Sequence, residues 1–477
     1  MTDITPFWLA GEPTFGEGSL DVHSPYSGDL VGRVSLATSD QIEQAIAAAD
    51  AVQAELLGLP AHVRAKALDH ISARIGQRAE EFAALITAEN GKPLMWSRGE
   101  VSRAVSTFRW AAEEARRWSG ELQRLDTDPN ATGRLGITRR FPRGPVLGIA
   151  PFNFPLNLVA HKVAPAIAVG APVLIKPASA TPLTALLLAE IVAETELPKA
   201  SLSVLPIRGG QMDAVNTDPR LPVISLTGSD EVGDRIRQAA PQKQVILELG
   251  GDAAVMVEPD WPDLRGAAER IALFGNYQAG QSCISVQRVL VHADVYDAFV
   301  PLLTEAVQAL RTGDPNDPAT QVGPMIDEQN ARRITEWIEE ATRAGATLHT
   351  GGGRQGTQVE PALLSEVPAS TSLGSKEAFA PVMTVIRYSD LDEGFRIVNG
   401  SRYGLQAGIF TTKVDVAFRA HRELVVGGVI VGDVPSFRAD QMPYGGWKAS
   451  GTGREGVASA MVDLTDERIL VLTGLAL

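Results

Sequence analysis

Apolar positions recur with a helical period from Ser39 to about Trp118. Ile42, Ala45, Ile46 and Ala49 share one face, and Ala65, Leu68, Ile71 and Ile75 share another. Several packed helices are therefore expected there, with Ser39 as the N-cap of the first. Residues 1–35, broken by Pro6, Pro13 and Pro25, read as irregular chain with room for short surface strands. From Gly144 to about Glu258 the pattern changes to short apolar runs, Val146 to Ala150, Val173 to Lys176, Ser203 to Pro206, Val223 to Thr227 and Val245 to Leu249, alternating with helical segments. That alternation implies parallel strands in a doubly wound sheet. It resumes through Arg311, Glu328 to Ala344 and Gly394 to Asn399, which predicts a second α/β domain. Two polar, β-leaning runs within 120–142 flank Asp128-Pro129-Asn130 and predict a projecting hairpin. The strand-like segment Thr465 to Leu477 suits pairing with that hairpin, in the same or another subunit.

Composition narrows the class. The 477 residues are 44% hydrophobic and 21% charged, ordinary values for a soluble α/β protein with large cores. The longest apolar run, Val163 to Ile175, contains two prolines and a glycine and is too short to span a bilayer. A net charge of −14 with no basic stretch argues against nucleic acid as a partner. No leader peptide is visible, and a single cysteine permits no intrachain disulfide, so the expected compartment is the cytoplasm. One cysteine and seven scattered histidines offer no metal cluster.

Any covalent sulfur chemistry must run through Cys283, in FGNYQAGQSCISVQRVLV, between a helical segment and a strand. On its own a lone cysteine is equally a small buried hydrophobe. Other residues sit where open parallel sheets bind ligands, at the carboxyl ends of strands. Asn153 in PFNFP is either a turn residue or an amide donor to an oxyanion, and Lys176 in IKPASATP is either solvated or faces the same crevice. Gly228 and Ser229 in LTGSDEVG open a helix whose N–H groups suit a phosphate, although no GxGxxG fingerprint occurs. Glu248 in LELGG ends an apolar strand, where a carboxylate is costly unless it is paired or acts as a base.

Taken together, ENGKPL, PFNFP, KPASATP, LTGS, LELGG, GQSC, EAFAP and PYGGWKASG stand in the order found in the aldehyde dehydrogenase superfamily, which the chain resembles over essentially its whole length. The resemblance implies a dinucleotide-binding domain (1–119 and 143–250), a catalytic domain (251–448) and an oligomerisation arm (120–142 and 460–477), assembled as a homodimer or homotetramer. It implies Cys283 as nucleophile, Asn153 with the Cys283 N–H as oxyanion hole, and Glu248 as the base that activates water. Lys176 would meet the adenine ribose, Gly228 and Ser229 the pyrophosphate, and Glu377 the nicotinamide ribose, beside Phe379 and Phe152.

Three positions refine this. Ser179 stands where many NAD-preferring relatives carry glutamate; without a carboxylate to repel a 2′-phosphate, NADP is expected to be accepted alongside NAD or preferred over it. Ser282 stands where relatives acting on phosphorylated aldehydes often carry arginine, which disfavours a doubly charged substrate. Arg109 and Arg438 are candidate contacts for a single carboxylate or hydroxyl, each of which also reads as a solvated surface arginine. The expected substrate is a small polar aldehyde, a hydroxyaldehyde or semialdehyde. Rival readings are a coenzyme A acylating enzyme, against which Glu248 argues, a cysteine hydrolase using His161, and a catalytically silent scaffold.

Overall fold

The structure is a computed structural model and describes residues 4–474. Five apolar runs form the parallel centre of an eight-stranded sheet, in the spatial order Gln244–Glu248, Val223–Thr227, Val146–Ile149, Val173–Lys176 and Leu202–Val204. The chain steps outward from Val146–Ile149 in one direction, then returns to its other side. This is the doubly wound arrangement, with its switch point between Val146–Ile149 and Val223–Thr227, beyond whose carboxyl ends such sheets bind ligands.

Residues 1–35 are more regular than their prolines suggest. Phe7–Leu9 and Glu12–Thr14 extend this sheet as antiparallel edge strands. Ile4–Thr5, Ser19–His23 and Leu30–Ser35 make a separate three-stranded sheet. Strands of two to six residues are too short for a period of two to stand out, and pairing partners rather than pattern create them.

The expected helices are Ser39–Gly58, Ala61–Gln77, Ala79–Asn90 and Leu94–Arg117. The first is capped by Thr38 rather than Ser39: the Thr38 hydroxyl accepts from the Gln41 N–H at 3.2 Å while the Gln41 side chain accepts from the Thr38 N–H at 3.0 Å, a reciprocal box. Helix Asn157–Val169 is buried on every side and carries three polar residues in its first two turns, Asn157, His161 and Lys162.

The second α/β unit is a seven-stranded sheet, in the order Thr347–Thr350, Ala362–Ser365, Val382–Tyr388, Arg288–His292, Ala254–Val257, Gln406–Phe410 and Gly428–Val431, parallel except at its first strand. The hairpin is Glu121–Arg124 and Arg134–Pro142, and Thr465–Thr473 pairs along the whole of its longer strand within the same chain. Residues 475–477 of the expected arm lie outside the described residues. Residues 460–464 do not belong to the arm's sheet, because helix Val457–Asp463 buries Val457 and Met461, with Leu464 after it, in the first core. Among the described residues no helix is long and apolar enough to cross a membrane.

Candidate active site

Helix Leu264–Asn276 delivers the chain to a strained loop. Gln278, Ala279 and Gly280 all have left-handed backbone, with φ of 53°, 54° and 66°. For the two non-glycine residues this costs about 1–3 kcal/mol each, so surrounding bonds must enforce it. They do: Gln278 Nε2 donates to the Asn153 carbonyl, Ser285 Oγ to the Gly280 carbonyl at 3.0 Å, and Gln281 Oε1 accepts from the Ile326 N–H at 2.9 Å. Gly280 packs against the Ala380 carbonyl, where no Cβ fits. The loop presents Cys283 to a narrow cavity that Asn153, Glu248, Tyr277, Arg103, Arg438, Tyr444 and Glu455 also line.

The first domain supplies Asn153, beyond the end of Val146–Ile149, and Glu248, at the end of Gln244–Glu248, the two strands that flank Val223–Thr227. Asn153 is buried, and one of its two amide hydrogens goes to the Gln281 carbonyl at 2.9 Å. Glu248 is buried with no hydrogen-bond partner on either oxygen. Burial pushes its carboxyl well above the usual range, Glu455 adds to this, and Arg438, Lys162 and Arg454 pull it back. Cys283 is a free thiol raised by burial and then by Glu377, Glu248 and Glu455. An electropositive or hydrogen-bonding setting is the usual way to activate a cysteine. Here burial, more than the neighbouring carboxyl groups, holds the thiol up, so a proton acceptor is required.

Four charged residues of this region, Lys162, Glu455, Asp440 and Arg103, escaped the sequence reading. Lys162 is buried in the helix below the switch point, donating to Thr227 Oγ1 at 2.7 Å and Ser225 Oγ at 3.1 Å and reaching Glu455 Oε1 at 3.5 Å. Burial opposes the charge of Glu455, but Lys162 and Arg438 more than offset it and hold the carboxyl down to about 2. Arg103, on helix Leu94–Arg117, reaches the cavity and bonds Asp440. The signal for Lys162 was present, as a lysine inside an otherwise apolar helix; Arg103 had none beyond its place three residues from Glu100 and four from Thr107 on one helix face.

Of the two arginines singled out in the sequence, Arg438 is in the cavity and is buried rather than solvated. It donates to Glu455 Oε2 at 2.9 Å, lies 3.8 Å from the Tyr444 ring centre and leaves Nε without a partner. Arg109 is not in the cavity: it is exposed and lies over Trp110, while Arg103, six residues earlier, lines the cavity with Cys283. His161 does not line the cavity either. Its Nε2 meets Asp440 Oδ1 at 3.3 Å, and burial followed by the charge of Arg438 depresses it to about 4, so the hydrolase reading lacks its base. Asp252 is structural, accepting from Ser401 Oγ at 2.7 Å and pairing with Arg288 at 3.3 Å.

The remaining candidates do not line this cavity. Lys176 is partly buried, its Nζ donating to the Pro177 carbonyl at 3.1 Å. Ser229 caps helix Asp230–Ala239, and the Gly228 N–H, expected to be free, donates to the Glu248 carbonyl at 3.0 Å. Glu377 accepts from the Gly251 N–H at 2.8 Å and is pushed up to about 8, chiefly by burial. A Cβ on Gly250 would strike Glu377 and one on Gly251 the Cys283 carbonyl, so LELGG needs both glycines. Phe379, at φ 46°, packs edge-on to Phe152 with ring centres 6.1 Å apart. Ser179 is exposed in the loop after Lys176.

Residues 13–469 match the family profile of the aldehyde dehydrogenase family. A 3-sulfolactaldehyde dehydrogenase of Priestia aryabhattai is 40% identical over 481 aligned residues, covering 99% of this chain and 100% of the relative. Among solved structures, aldehyde dehydrogenase 21 from Physcomitrella patens, in complex with the reaction product succinate, superposes with a TM-score of 0.98 at 42% identity, covering 100% of this chain and 99% of that one. The NADP-dependent glyceraldehyde-3-phosphate dehydrogenase from Bacillus halodurans, complexed with NADP, gives 0.95 at 33% identity, over 99% and 100% of the two chains. The chain belongs to the aldehyde dehydrogenase family.

Proposed function

We propose that this aldehyde dehydrogenase oxidises a small aldehyde bearing one anionic group, with NADP accepted as well as NAD, and with Cys283, Asn153 and Glu248 in the roles the resemblance implies. The observation that carries the substrate reading is the pair of guanidiniums, Arg103 and Arg438, in the cavity of Cys283. Arginine suits carboxylate and sulfonate alike, since both present oxygens to its fork. Two relatives support the reading: one is named for a sulfonated aldehyde, and another is in complex with succinate, the acid of a four-carbon semialdehyde.

The crevice fits a nicotinamide dinucleotide. Lys176 offers a cation at a strand end, the helix at Ser229 offers its N-terminal dipole, and Glu377 offers a buried carboxyl to ribose hydroxyls. No carboxylate stands at Ser179 to repel a 2′-phosphate, and one relative is NADP-dependent. A bound oxidised nicotinamide supplies the hydride acceptor that turns a thiohemiacetal on Cys283 into a thioester.

The chain's own residues do the rest. Cys283 gives up its proton to solvent water, and its sulfur attacks the carbonyl carbon. The free amide hydrogen of Asn153 and the Cys283 N–H meet the oxyanion that forms. Glu248, without an internal partner, takes a proton from water, whose oxygen attacks the thioester and releases the acid and the thiol. Arg103 and Arg438 hold the far end of the substrate.

Initial rates of NADPH and NADH formation with 4-oxobutanoate, butanal and hydroxyaldehydes, beside Cys283→Ala, test this reading. Preference for butanal over the acid would refute it. A single cysteine held as a thiol suits the cytoplasm. The exposed Leu122, Ile469 and Leu470 on the arm support a homo-oligomer, which Leu470→Asp should dissociate in sedimentation runs.

A further inference from the structure

We propose that Asp440 is a positioning residue that holds the Arg103 guanidinium in the substrate cavity, braced by His161, and thereby sets the preference for anionic aldehydes. The inference rests on the reading that Arg103 meets the anionic end of the substrate.

Asp440 and Arg103 are 337 residues apart and come from different units of the fold, the loop after the second sheet and a helix of the first. Arg103 Nε and Nη2 both donate to Asp440 Oδ1, at 3.2 and 3.1 Å. The aspartate side chain is 6% exposed and the arginine 29%, so one edge of the guanidinium is buried in the pair while the other opens to the cavity. Nη1 has no hydrogen-bond partner among the described residues and remains to meet a ligand oxygen.

His161 closes the chain from behind. An ionised carboxylate only accepts hydrogen bonds, so the His161 Nε2 at 3.3 Å must carry the hydrogen, and the imidazole is the neutral tautomer protonated there. Because His161 sits in the wholly buried helix Asn157–Val169, it is fixed, and it fixes Asp440 in turn. A free arginine would lose its rotamer freedom on binding each substrate; here that ordering is completed in folding.

The negative charge of Asp440 also works against an anion nearby. Field and positioning thus predict opposite signs when the carboxylate is removed, which makes its removal diagnostic. The readout is the ratio of kcat/KM for 4-oxobutanoate to that for butanal, in the full-length enzyme with cofactor. In Asp440→Ala the ratio should fall about tenfold or more, through the KM of the acid, the loss expected when a charged hydrogen-bond partner is removed. Asp440→Asn keeps an acceptor in place and should stay within about threefold of the parent. Should Asp440→Ala fail to fold, Asp440→Ser, whose hydroxyl is too short to bridge, carries the same expectation.

A ratio that is unchanged or rises overturns the proposal, and so does an equal loss on both aldehydes, which marks a structural role alone. Arg103→Met separates the two levels. If that variant leaves the ratio unchanged, the anion reading of Arg103 falls; if it lowers the ratio while Asp440→Ala does not, only the positioning role falls.

Discussion

The side-chain amide of Asn153 donates to the main-chain carbonyl of Gln281, two residues before Cys283, at 2.9 Å. In return Gln278 of the nucleophile loop donates to the Asn153 carbonyl. The two α/β units are thus stitched together at the point where sulfur and oxyanion donor must be in register. Asn153→Ala removes a donor to the oxyanion, and kcat should fall about 100- to 1000-fold. Steady-state kinetics check this; a loss confined to KM would show that Asn153 only binds substrate.

Glu248 should govern the pH profile. Burial raises its carboxyl well above the ordinary range, so at low pH it holds its own proton and cannot accept one from water. Turnover should therefore rise with pH, in a window displaced above the ordinary carboxylate range. Glu248→Gln should flatten that rise and slow turnover about 100-fold or more, while a burst of about one reduced nicotinamide per site survives in stopped flow. Absence of the burst would mean that Glu248 is needed before the thioester forms.

Glu377 links cofactor binding to stability. Its carboxyl titrates at about 8 in the folded protein, raised chiefly by burial from an ordinary value of 4.5. Between those values the unfolded chain has lost the proton and the folded chain keeps it, so stability falls as pH rises through this window. Glu377→Gln removes the dependence. The variant should match the parent near pH 5 and exceed it by about 1–3 kcal/mol near pH 9 in thermal or denaturant unfolding. Its affinity for NADP should drop about tenfold or more by fluorescence titration, because one of the two carboxyl oxygens is replaced by an amide donor and no carboxylate can form.

Ser179 should set the choice between dinucleotides. Ser179→Glu places a carboxylate where a 2′-phosphate would lie, and kcat/KM with NADP should fall about tenfold or more relative to NAD. A parent enzyme that already prefers NAD by about tenfold in initial rates would remove the basis for this assignment.

Most of the catalytic candidates were readable because of a regularity of parallel sheets. An apolar run ends where a strand ends, and residues at or shortly past that end can look into the crevice. Lys176 and Glu248 end their strands, Ser229 stands two residues past Thr227 and Asn153 four past Ile149, and the alternation of runs also dictated the doubly wound order. The short N-terminal strands were not readable, since edge pairing with Leu202–Val204 rather than local pattern creates them.

Tertiary structure alone decided three things. It chose Arg103 over Arg109, residues six apart on one helix and so about 240° apart around it, only one of which can face the cavity. It joined Lys162, Arg438 and Glu455 into one buried charge network, from segments separated by up to 293 residues. And it set the acidity of Cys283, because a pKa sums burial and field over neighbours in space: the sequence by itself offered the candidate nucleophile, but burial, followed by Glu377, Glu248 and Glu455, raises its thiol above the ordinary range.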